Sequence, residues 1–368
     1  MRLEKLRLIN FKNYKEAFLE FPGKINCLLG LNGSGKTNLL DAIHYLSFTK
    51  SFLSTSDSHN IRQGSDSFLV QGNFDFDGAK HEVACQIQTG HKKIFREDGL
   101  DYEKISEHIG KYPVVLISPS DIDLIKEGSE ERRKFFDSMI AQIDHTYLQV
   151  LMEYHHCLKQ RNRLLRLFSE RQYSDSDLVD TYDQRLVRTG TEIFQRRKEF
   201  IQEFLPILND SYNTLVDKQE IATLTYQSDL FENDFIKALK NSFGKDMALQ
   251  RTSVGIHRDD YEFGFAHGEM KKLGSQGQQK SFLVALKLAN VEVLKRHKGF
   301  NPILLLDDIF DKLDDIRISR LLKIVAGKNY GQLFITDAGP ERTEALLQDI
   351  GVDSDIFEVS EGFIRRKA

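Results

Sequence analysis

The chain has 368 residues, of which 40% are hydrophobic and 29% charged, and this predicts a globular protein of two domains, or of one large domain with an insertion. Its formal net charge is −4, so a nucleic-acid partner would need a local basic patch, because the field of the whole molecule does not attract polyanions. The three cysteines are widely spaced, which argues against a disulfide framework. No run approaches the ~18 apolar residues that a membrane span needs. We therefore expect a cytoplasmic protein.

The N-terminal part of the chain has strand and turn patterns. Apolar residues alternate loosely with charged ones over residues 6–11, and Pro22-Gly23 marks a turn. Ile25–Leu29 is a short apolar strand, and helical spacing of apolar residues starts at Thr37. Between about residues 68 and 117 apolar strands alternate with glycines, which predicts antiparallel hairpins.

The middle of the chain is helical in character. Residues 130–204 are charged and contain no proline. Apolar stripes at helical spacing run over residues 147–158 and 182–200, and the polar stretch 169–180 is the predicted connection between them. We therefore predict a helical hairpin packed with neighbouring helices as an inserted lobe, with stripes too short for a long coiled-coil arm.

The last hundred residues return to alternating helices and strands. The predicted elements are a helix over 281–295, a strand over 303–306, a helix near 316–325 and a strand over 332–336. Because such elements occur at both ends of the chain, we expect one sheet assembled from the two termini.

The strongest motif is a glycine-rich loop between the strand that ends at Leu29 and the helix that begins near Thr37. Glycines give such a loop the dihedral freedom to point successive backbone N–H groups at phosphate. The motif predicts an ATP site in which Lys36 approaches the β- and γ-phosphates and Thr37 ligates Mg²⁺. The predicted nucleotide-binding residues are Gly30, Leu31, Asn32, Gly33, Ser34, Gly35, Lys36, Thr37 and Asn38. A chance glycine loop is the alternative, but a strand and an amphipathic helix flank this one.

A second motif ends the predicted strand 303–306 with paired carboxylates. We expect Asp307 to hold Mg²⁺, directly or through water, and Asp308 to polarise the attacking water. The alternative is an acidic strand end that caps the next helix.

A third motif, Ser275-Gln-Gly277-Gln278, precedes the predicted helix 281–295. Alone it is an ordinary capping sequence. Its position about 25 residues before the Asp307 strand makes it resemble the signature motif of the ABC ATPase class. That resemblance implies that Ser275, Gly277 and Gln278 reach nucleotide held by a second copy of the chain, so that Ser275 joins Lys36 and Asp308 in the catalytic set. Leu313-Asp314 matches the dimer-facing D-loop of the class.

The whole chain resembles the RecF family of bacterial recombination-repair ATPases, which are related to SMC heads. Besides the three motifs, the resemblance rests on residues 8–14 (LINFKNY), 118–121 (SPSD), 131–137 (ERRKFFD), 159–162 (KQRN) and 255–260 (GIHRDD). It implies an ATP-dependent homodimer, slow ATP hydrolysis stimulated by DNA, and binding to duplex DNA and to single-strand/duplex junctions in gapped DNA. It also implies cooperation with the mediators RecO and RecR in loading RecA.

The resemblance also implies the fold. We expect an α/β protein whose ABC-type P-loop ATPase head has a mixed sheet with helices and an antiparallel β subdomain, and which carries an inserted α-helical lobe. Residues 1–120 and 250–368 are assigned to the head, and residues 121–249 to the inserted lobe.

Two positions depart from the ABC pattern. Asp308 stands where most members of that class have glutamate, and the shorter side chain is consistent with slow turnover. The switch histidine expected after the strand 332–335 is absent, and Thr336 or Asp337 is the candidate sensor of the γ-phosphate in its place.

Several basic residues are candidates for DNA contacts. Lys92, Lys93 and Arg96 flank a predicted hairpin, and Arg161 and Arg163 fall within one helix. Phosphate contacts need positive charge, and no base-reading motif is visible, so we expect salt-dependent binding with little sequence preference. Each cluster has an ordinary solvated helix or hairpin face as its alternative. Likewise, His257-Arg258-Asp259-Asp260 has a structural ion-pair turn as its alternative.

Two other functions compete with a DNA-repair ATPase. The ATPase subunit of a membrane transporter would be a shorter chain with the usual glutamate and switch histidine, and this chain has neither residue. A DNA clamp that uses ATP only as a structural ligand would show no turnover.

Overall fold

The structure is a computed structural model that describes residues 1–171, 175–216, 221–266, 268–308, 315–327, 330–349, 351 and 353–367. Its contacts divide the chain into two compact units. Unit 1 comprises Met1–Ile122, Ser211–Gln219 and Gln276–Ala368. Unit 2 comprises Asp123–Asp210 and Glu220–Ser275.

Unit 1 contains a six-stranded, mostly parallel sheet with the order β15-β14-β3-β13-β12-β8. Its strands are β3 (Ile25–Leu29), β8 (Val114–Ile117), β12 (Ile303–Leu306), β13 (Leu333–Asp337), β14 (Asp355–Ser360) and β15 (Phe363–Arg366). Only β15 runs antiparallel to its neighbour. The four residues of β12 are all buried, as expected of a strand that is covered on both faces. The predicted assembly of one sheet from the two ends of the chain is therefore confirmed.

A second sheet in unit 1 is antiparallel throughout, with the order β2-β1-β4-β5-β6-β7. Its strands are β1 (Arg2–Phe11), β2 (Tyr14–Glu20), β4 (Ser67–Phe76), β5 (Ala79–Gln88), β6 (Ile94–Glu97) and β7 (Leu100–Asp101). Buried residues alternate with exposed ones along most of β2 and with partly buried ones along β4, as expected when one face of a sheet covers a core. The hairpins predicted before residue 117 belong to this sheet, except that β8 joins the parallel one.

Helix α1 (Lys36–Phe48) lies between the two sheets and contacts strands of both. Ten of its 13 residues are buried, so it has no exposed polar stripe of the kind that surface helices carry. Leu39, Leu40, Ile43 and Leu46 join residues of both sheets in one hydrophobic core. The core thereby fixes the position of the helix that begins at the phosphate loop.

The other helices of unit 1 belong to the C-terminal part of the chain. They are α8 (Gln276–Lys298), α9 (Asp315–Ala326) and α10 (Pro340–Asp349). Helix α8 starts at Gln276, five residues earlier than the sequence pattern predicts, and includes the glycine at position 277 in its first turn. Gly277 and Gln278 are consequently helical rather than loop residues.

Unit 2 is mainly helical and carries a small antiparallel sheet. Its helices are α2 (Asp123–Lys126), α3 (Ser129–Ile143), α4 (His145–Arg171), α5 (Ser176–Leu215), α6 (Phe235–Leu249) and α7 (Met270–Leu273), where the end of α5 lies beyond the unit boundary. Both long helices extend into the predicted polar connection 169–180, of which residues 172–174 lie outside the described part of the chain.

The small sheet has the order β11-β10-β9, formed by β9 (Ala222–Gln227), β10 (Asp260–Phe265) and β11 (Gly268–Glu269). Residues 250–275, which the sequence assigned to the head, fall in unit 2, because β10 pairs with β9 along its whole length. The predicted α/β class with an antiparallel subdomain and a helical lobe is confirmed. Among the described helices, none has the length and apolarity needed to cross a bilayer.

Candidate functional site

The phosphate loop connects β3 to α1 at the carboxyl end of the parallel sheet. Gly35, which precedes α1, has φ +113°, and a Cβ there would lie 2.4 Å from the side chain of Asn13. A Cβ on Gly30 would lie 2.1 Å from the carbonyl oxygen of Val359 in β14. Position 35 therefore requires glycine for its dihedral angles and for the close contact, and position 30 requires it for the close contact alone.

Two residues of the β1–β2 turn brace this loop. Asn13 donates to the Ser34 carbonyl at 3.2 Å and accepts from Asn38 at 2.8 Å, and the Tyr14 hydroxyl donates to the Gly35 carbonyl at 3.0 Å. The sequence pointed to these residues only as part of the segment 8–14, and their role as supports of the loop was missed.

The loop also contains two polar groups suited to phosphate. The Lys36 ammonium is almost fully buried and donates to the carbonyls of Gly30 at 2.8 Å and Leu31 at 3.0 Å. The Ser34 hydroxyl is buried and has no hydrogen-bond partner among the described residues. The positive end of α1 adds to this arrangement, which is typical of an anion site.

Asp307 joins the loop to the neighbouring strands. Its Oδ1 accepts hydrogen bonds from the hydroxyls of Thr37 at 2.9 Å and Thr336 at 2.8 Å. Burial raises the pKa of Asp307, and the two hydroxyl bonds oppose that rise. Thr37 and Asp307, which come from distant parts of the sequence, are thus brought together at one edge of the sheet.

Asp308 is held in an unusual backbone conformation, with φ +43°. Its N–H donates to the Thr336 hydroxyl at 2.9 Å, so Thr336 connects the two consecutive carboxylate residues. Asp337, the other candidate for the switch position, instead accepts a hydrogen bond from the Thr343 hydroxyl at 2.5 Å. Thr336 is therefore the residue of this pair that contacts the carboxylate site.

The signature residues lie at the start of α8. Ser275 is the last residue of unit 2, and Gly277 and Gln278 occupy the first turn of the helix in unit 1. A Cβ on Gly277 would lie 3.2 Å from the guanidinium of Arg317 in α9. Because this contact is tighter than ordinary packing, glycine at 277 lets Arg317 lie over the helix start. The D-loop candidate Leu313-Asp314 lies outside the described residues.

Comparison with known proteins identifies the family. A family model described as the RecF/RecN/SMC N terminal domain matches residues 2–355. The DNA replication and repair protein RecF of Flavobacterium johnsoniae is 45% identical, over 98% of this chain and 100% of its own. That of Cytophaga hutchinsonii is 44% identical, over 100% of this chain and 97% of its own. The chain belongs to the RecF family.

Solved RecF structures match the same fold. Two structures of the recombination mediator protein RecF in the RecFOR pathway, described as RecF-ATPrS and RecF-ATP, are each 28% identical to this chain. The match to RecF-ATPrS covers 100% of this chain and 98% of the other, with a TM-score of 0.90. The match to RecF-ATP covers 100% of this chain and 99% of the other, with a TM-score of 0.87. A Pyrococcus furiosus Smc head, 17% identical over 99% of this chain and 95% of its own with a TM-score of 0.57, shares the fold alone. The resemblance to RecF is confirmed, and it decides against a transporter subunit.

In this RecF-family chain, one predicted DNA contact must be corrected. Arg161 is fully buried, and its guanidinium donates to Asp183 at 2.6 Å and Asp246 at 2.8 Å. It stabilises the interior of unit 2, and no phosphate can reach it in this structure. Arg163, two residues along α4, is exposed. The apolar stripe over residues 147–158 continues at helical spacing to position 161, so the phase of the helix turns Arg161 inward. The sequence did not show the two buried carboxylates that Arg161 meets there.

The hairpin candidates differ in their surroundings. The Lys93 ammonium donates to the Thr49 carbonyl and pairs with Asp57, both at 2.7 Å, and lies over the Tyr45 ring. Arg96 pairs with Asp101 but stays partly exposed. Lys92 is exposed and makes no side-chain hydrogen bond or ion pair with a described residue. Lys92 is thus the most accessible of the three.

The segment 257–260 matches its structural alternative. Asp259 binds Arg197 at 3.0 Å, and Asp260 binds Arg132 at 2.8 Å. A hydrogen bond of 2.8 Å joins Nδ1 of His257 to the Tyr154 hydroxyl. Burial lowers the pKa of His257 to about 4. Three of the four side chains therefore hold unit 2 together.

Proposed function

We propose that this RecF-family protein is a DNA-repair ATPase that dimerises when it binds ATP and then binds DNA. The observation that carries the proposal is the hydrogen bond between Thr37 of the phosphate loop and Asp307 at the end of β12. The hydroxyl of the loop and the carboxylate of the strand lie close enough to bind one cation together, as a P-loop ATPase requires.

The residues present fit ATP and Mg²⁺. Lys36, the buried Ser34 hydroxyl and the N-terminus of α1 suit the β- and γ-phosphates. Thr37 and Asp307 offer the hard oxygen ligands that Mg²⁺ prefers. No cluster of three or more His, Cys, Asp or Glu side chains in the described residues forms a separate metal cage. Such sparse protein ligation is usual where Mg²⁺ is bound together with nucleotide phosphates.

One chain carries one phosphate loop and one signature, so we infer that two copies complete each other's sites. Ser275, Gly277 and Gln278 of one copy then contact the γ-phosphate held by the other, as in related ATPases. Asp308 orients and polarises the attacking water. Hydrolysis is slow, since an aspartate reaches less far than the usual glutamate. By resemblance to the family, DNA stimulates it.

We further infer the DNA substrate and partners from the family. The protein binds duplex DNA and single-strand/duplex junctions of gapped DNA in the cytoplasm. With RecO and RecR it helps to load RecA. The likeness to solved structures of the recombination mediator protein RecF in the RecFOR pathway supports this role.

The test is DNA binding by the full chain with ATP, with ADP and without nucleotide, each at low and high salt. We expect ATP to tighten binding, and raised salt to weaken it, because phosphate contacts release counterions. Equal binding in all three nucleotide states would contradict the proposal.

A clamp that uses ATP only as a structural ligand remains the second candidate, favoured by the unusual Asp308. Steady-state phosphate release with and without DNA separates the two. Release above that of a Lys36→Ala control supports the ATPase, and release equal to it in both conditions supports the clamp.

A further inference from the structure

A row of basic side chains follows the outer face of α4 in unit 2. The inner face of this helix is buried and includes Tyr154, Arg161 and Leu165. Lys159, Arg163 and Arg166 lie on the opposite, exposed face, spaced four and three residues apart. Such spacing places them one above the other on a helix. They also line a depression of 670 Å³ on the surface of α4.

These three side chains are not engaged by other side chains. None of them makes a hydrogen bond or ion pair with a residue in the described part of the chain, although the exposed Glu170 lies on the same face of α4, one turn beyond Arg166. By contrast, two exposed arginines of the neighbouring helix α5, Arg185 and Arg188, pair with Glu153. Unpaired like charges on one helix face repel each other, which suggests that they serve an external anion.

A loop adds a fourth positive charge. Thr252 donates from its backbone N–H and its hydroxyl to the Asn162 side chain at 2.7 and 2.8 Å. Gln250 donates to the Ser169 hydroxyl at 3.3 Å. Arg251 stands between these two anchors and is exposed, so it lies beside α4 at the level of Arg163 and Arg166.

We propose that Lys159, Arg163, Arg166 and Arg251, here named the basic surface, bind the sugar-phosphate backbone of duplex DNA. This assignment rests on the proposed function and specifies where unit 2 meets DNA. The row on α4 covers about 10 Å of helix axis, and a duplex presents one negative charge per ~1.7 Å. Several phosphates can therefore face the row at once.

The surroundings favour a polyanion over other occupants. Most apolar side chains of α4 lie in the core of the unit, and the exposed ones, such as Met152 and Leu167, are scattered, so the helix offers no continuous apolar face to a membrane. The basic surface offers charge without an aromatic anchor of the kind that dominates protein interfaces. Contacts made by flexible, exposed charges suit phosphate recognition without base specificity.

The test compares duplex binding by the wild type and by a Lys159→Gln/Arg163→Gln/Arg166→Gln variant, both with ATP, over about 50 to 200 mM salt. Each phosphate contact contributes about −0.9 to the slope of log K against log salt. We expect the variant slope to be shallower by roughly 3, so that the wild type loses roughly 40-fold more affinity over this range.

A Lys237→Gln/Lys240→Gln/Lys245→Gln variant removes the same charge from exposed positions of α6 in the same unit and should keep the wild-type slope. Circular dichroism and ATP binding establish that both variants fold. If the α4 variant keeps the wild-type slope, the basic surface does not bind DNA, although the proposed function stands. The basic surface would then be assigned to an acidic protein partner. Absence of DNA binding by the wild type in every nucleotide state overturns the proposed function as well.

Discussion

The hydroxyl of Thr336 donates a hydrogen bond to Oδ1 of Asp307 at 2.8 Å. The same threonine oxygen accepts the backbone N–H of Asp308 at 2.9 Å. Thr336 is fully buried in β13, next to the strand that carries the carboxylates. It therefore acts as a positioning residue for the Asp307 carboxylate and for the backbone of Asp308.

Replacing Thr336 with valine keeps the shape of the side chain but removes this hydroxyl. The Asp308 N–H then loses its partner, and Asp307 loses one of its two hydroxyl bonds, which costs about 1–3 kcal/mol for a buried group. We expect slower phosphate release with ATP affinity changed much less, measured as separate kcat and nucleotide Kd values. Thr336→Ser retains the hydroxyl and should recover turnover. Equal loss in both variants would assign the effect to packing.

Lys36→Ala removes the ammonium that lies against the loop carbonyls. Because bonds to charged groups are worth up to about 3 kcal/mol, we expect ATP affinity to fall by about 100-fold or more. Isothermal titration with ATP and Mg²⁺ measures the change. Lys15→Ala removes an exposed lysine and is the matched control. Unchanged ATP affinity in Lys36→Ala would refute the phosphate-loop assignment.

Asp308→Asn should retain ATP but arrest its hydrolysis, because an amide polarises water more weakly than a carboxylate does. We expect the variant to accumulate as a dimer with ATP, and size-exclusion chromatography with and without ATP detects it. The wild type with ADP provides the monomer reference. A strictly monomeric profile of the variant with ATP would count heavily against dimerisation.

Arg161→Ala should destabilise the protein strongly. It would leave the buried carboxylates of Asp183 and Asp246 without their cation. Breaking a buried ion pair from one side typically costs about 3–5 kcal/mol in the free energy of unfolding. Arg163→Ala, on the exposed face of the same helix, should change it by about 0.5 kcal/mol or less. Urea denaturation compares the two, and similar losses would contradict the burial of Arg161.

Glu97 makes part of the stability of unit 1 dependent on pH. Burial alone would raise its pKa, but hydrogen bonds from Lys111, Tyr102 and Tyr112 outweigh it and lower the pKa from 4.5 to about 2. A lowered carboxyl pKa stabilises the fold above pH 4.5, and this contribution is lost as the pH falls towards 2. We expect Glu97→Gln to remove that part of the acid sensitivity.

Thermal unfolding across this pH range provides the measurement. The difference in stability between the wild type and Glu97→Gln should shrink as the pH falls from about 4.5 to about 2. Glu103→Gln, at an exposed position nearby, should follow the wild type. A constant difference between the wild type and Glu97→Gln would exclude this carboxyl as the titrating group.

The sequence by itself determined the alternation of helices and strands at both ends of the chain, the phosphate loop and the Asp307–Asp308 strand end. These features depend on local patterns, since glycine dihedral freedom, strand hydrophobicity and motif spacing can all be read along the chain. The resemblance to RecF added the family, which the comparisons with known relatives confirmed.

Only the tertiary structure decided which side chains are available. Arg161 and Arg163 are two positions apart on α4, but Arg161 is buried in the core of unit 2 and Arg163 is exposed to solvent. Lys93 is likewise engaged by Thr49 and Asp57. Burial and pairing depend on residues distant in sequence, as does the contact of Thr336 with Asp307. The phase of a helix can be predicted locally, whereas the partners that cover it are set by the packing of the whole unit.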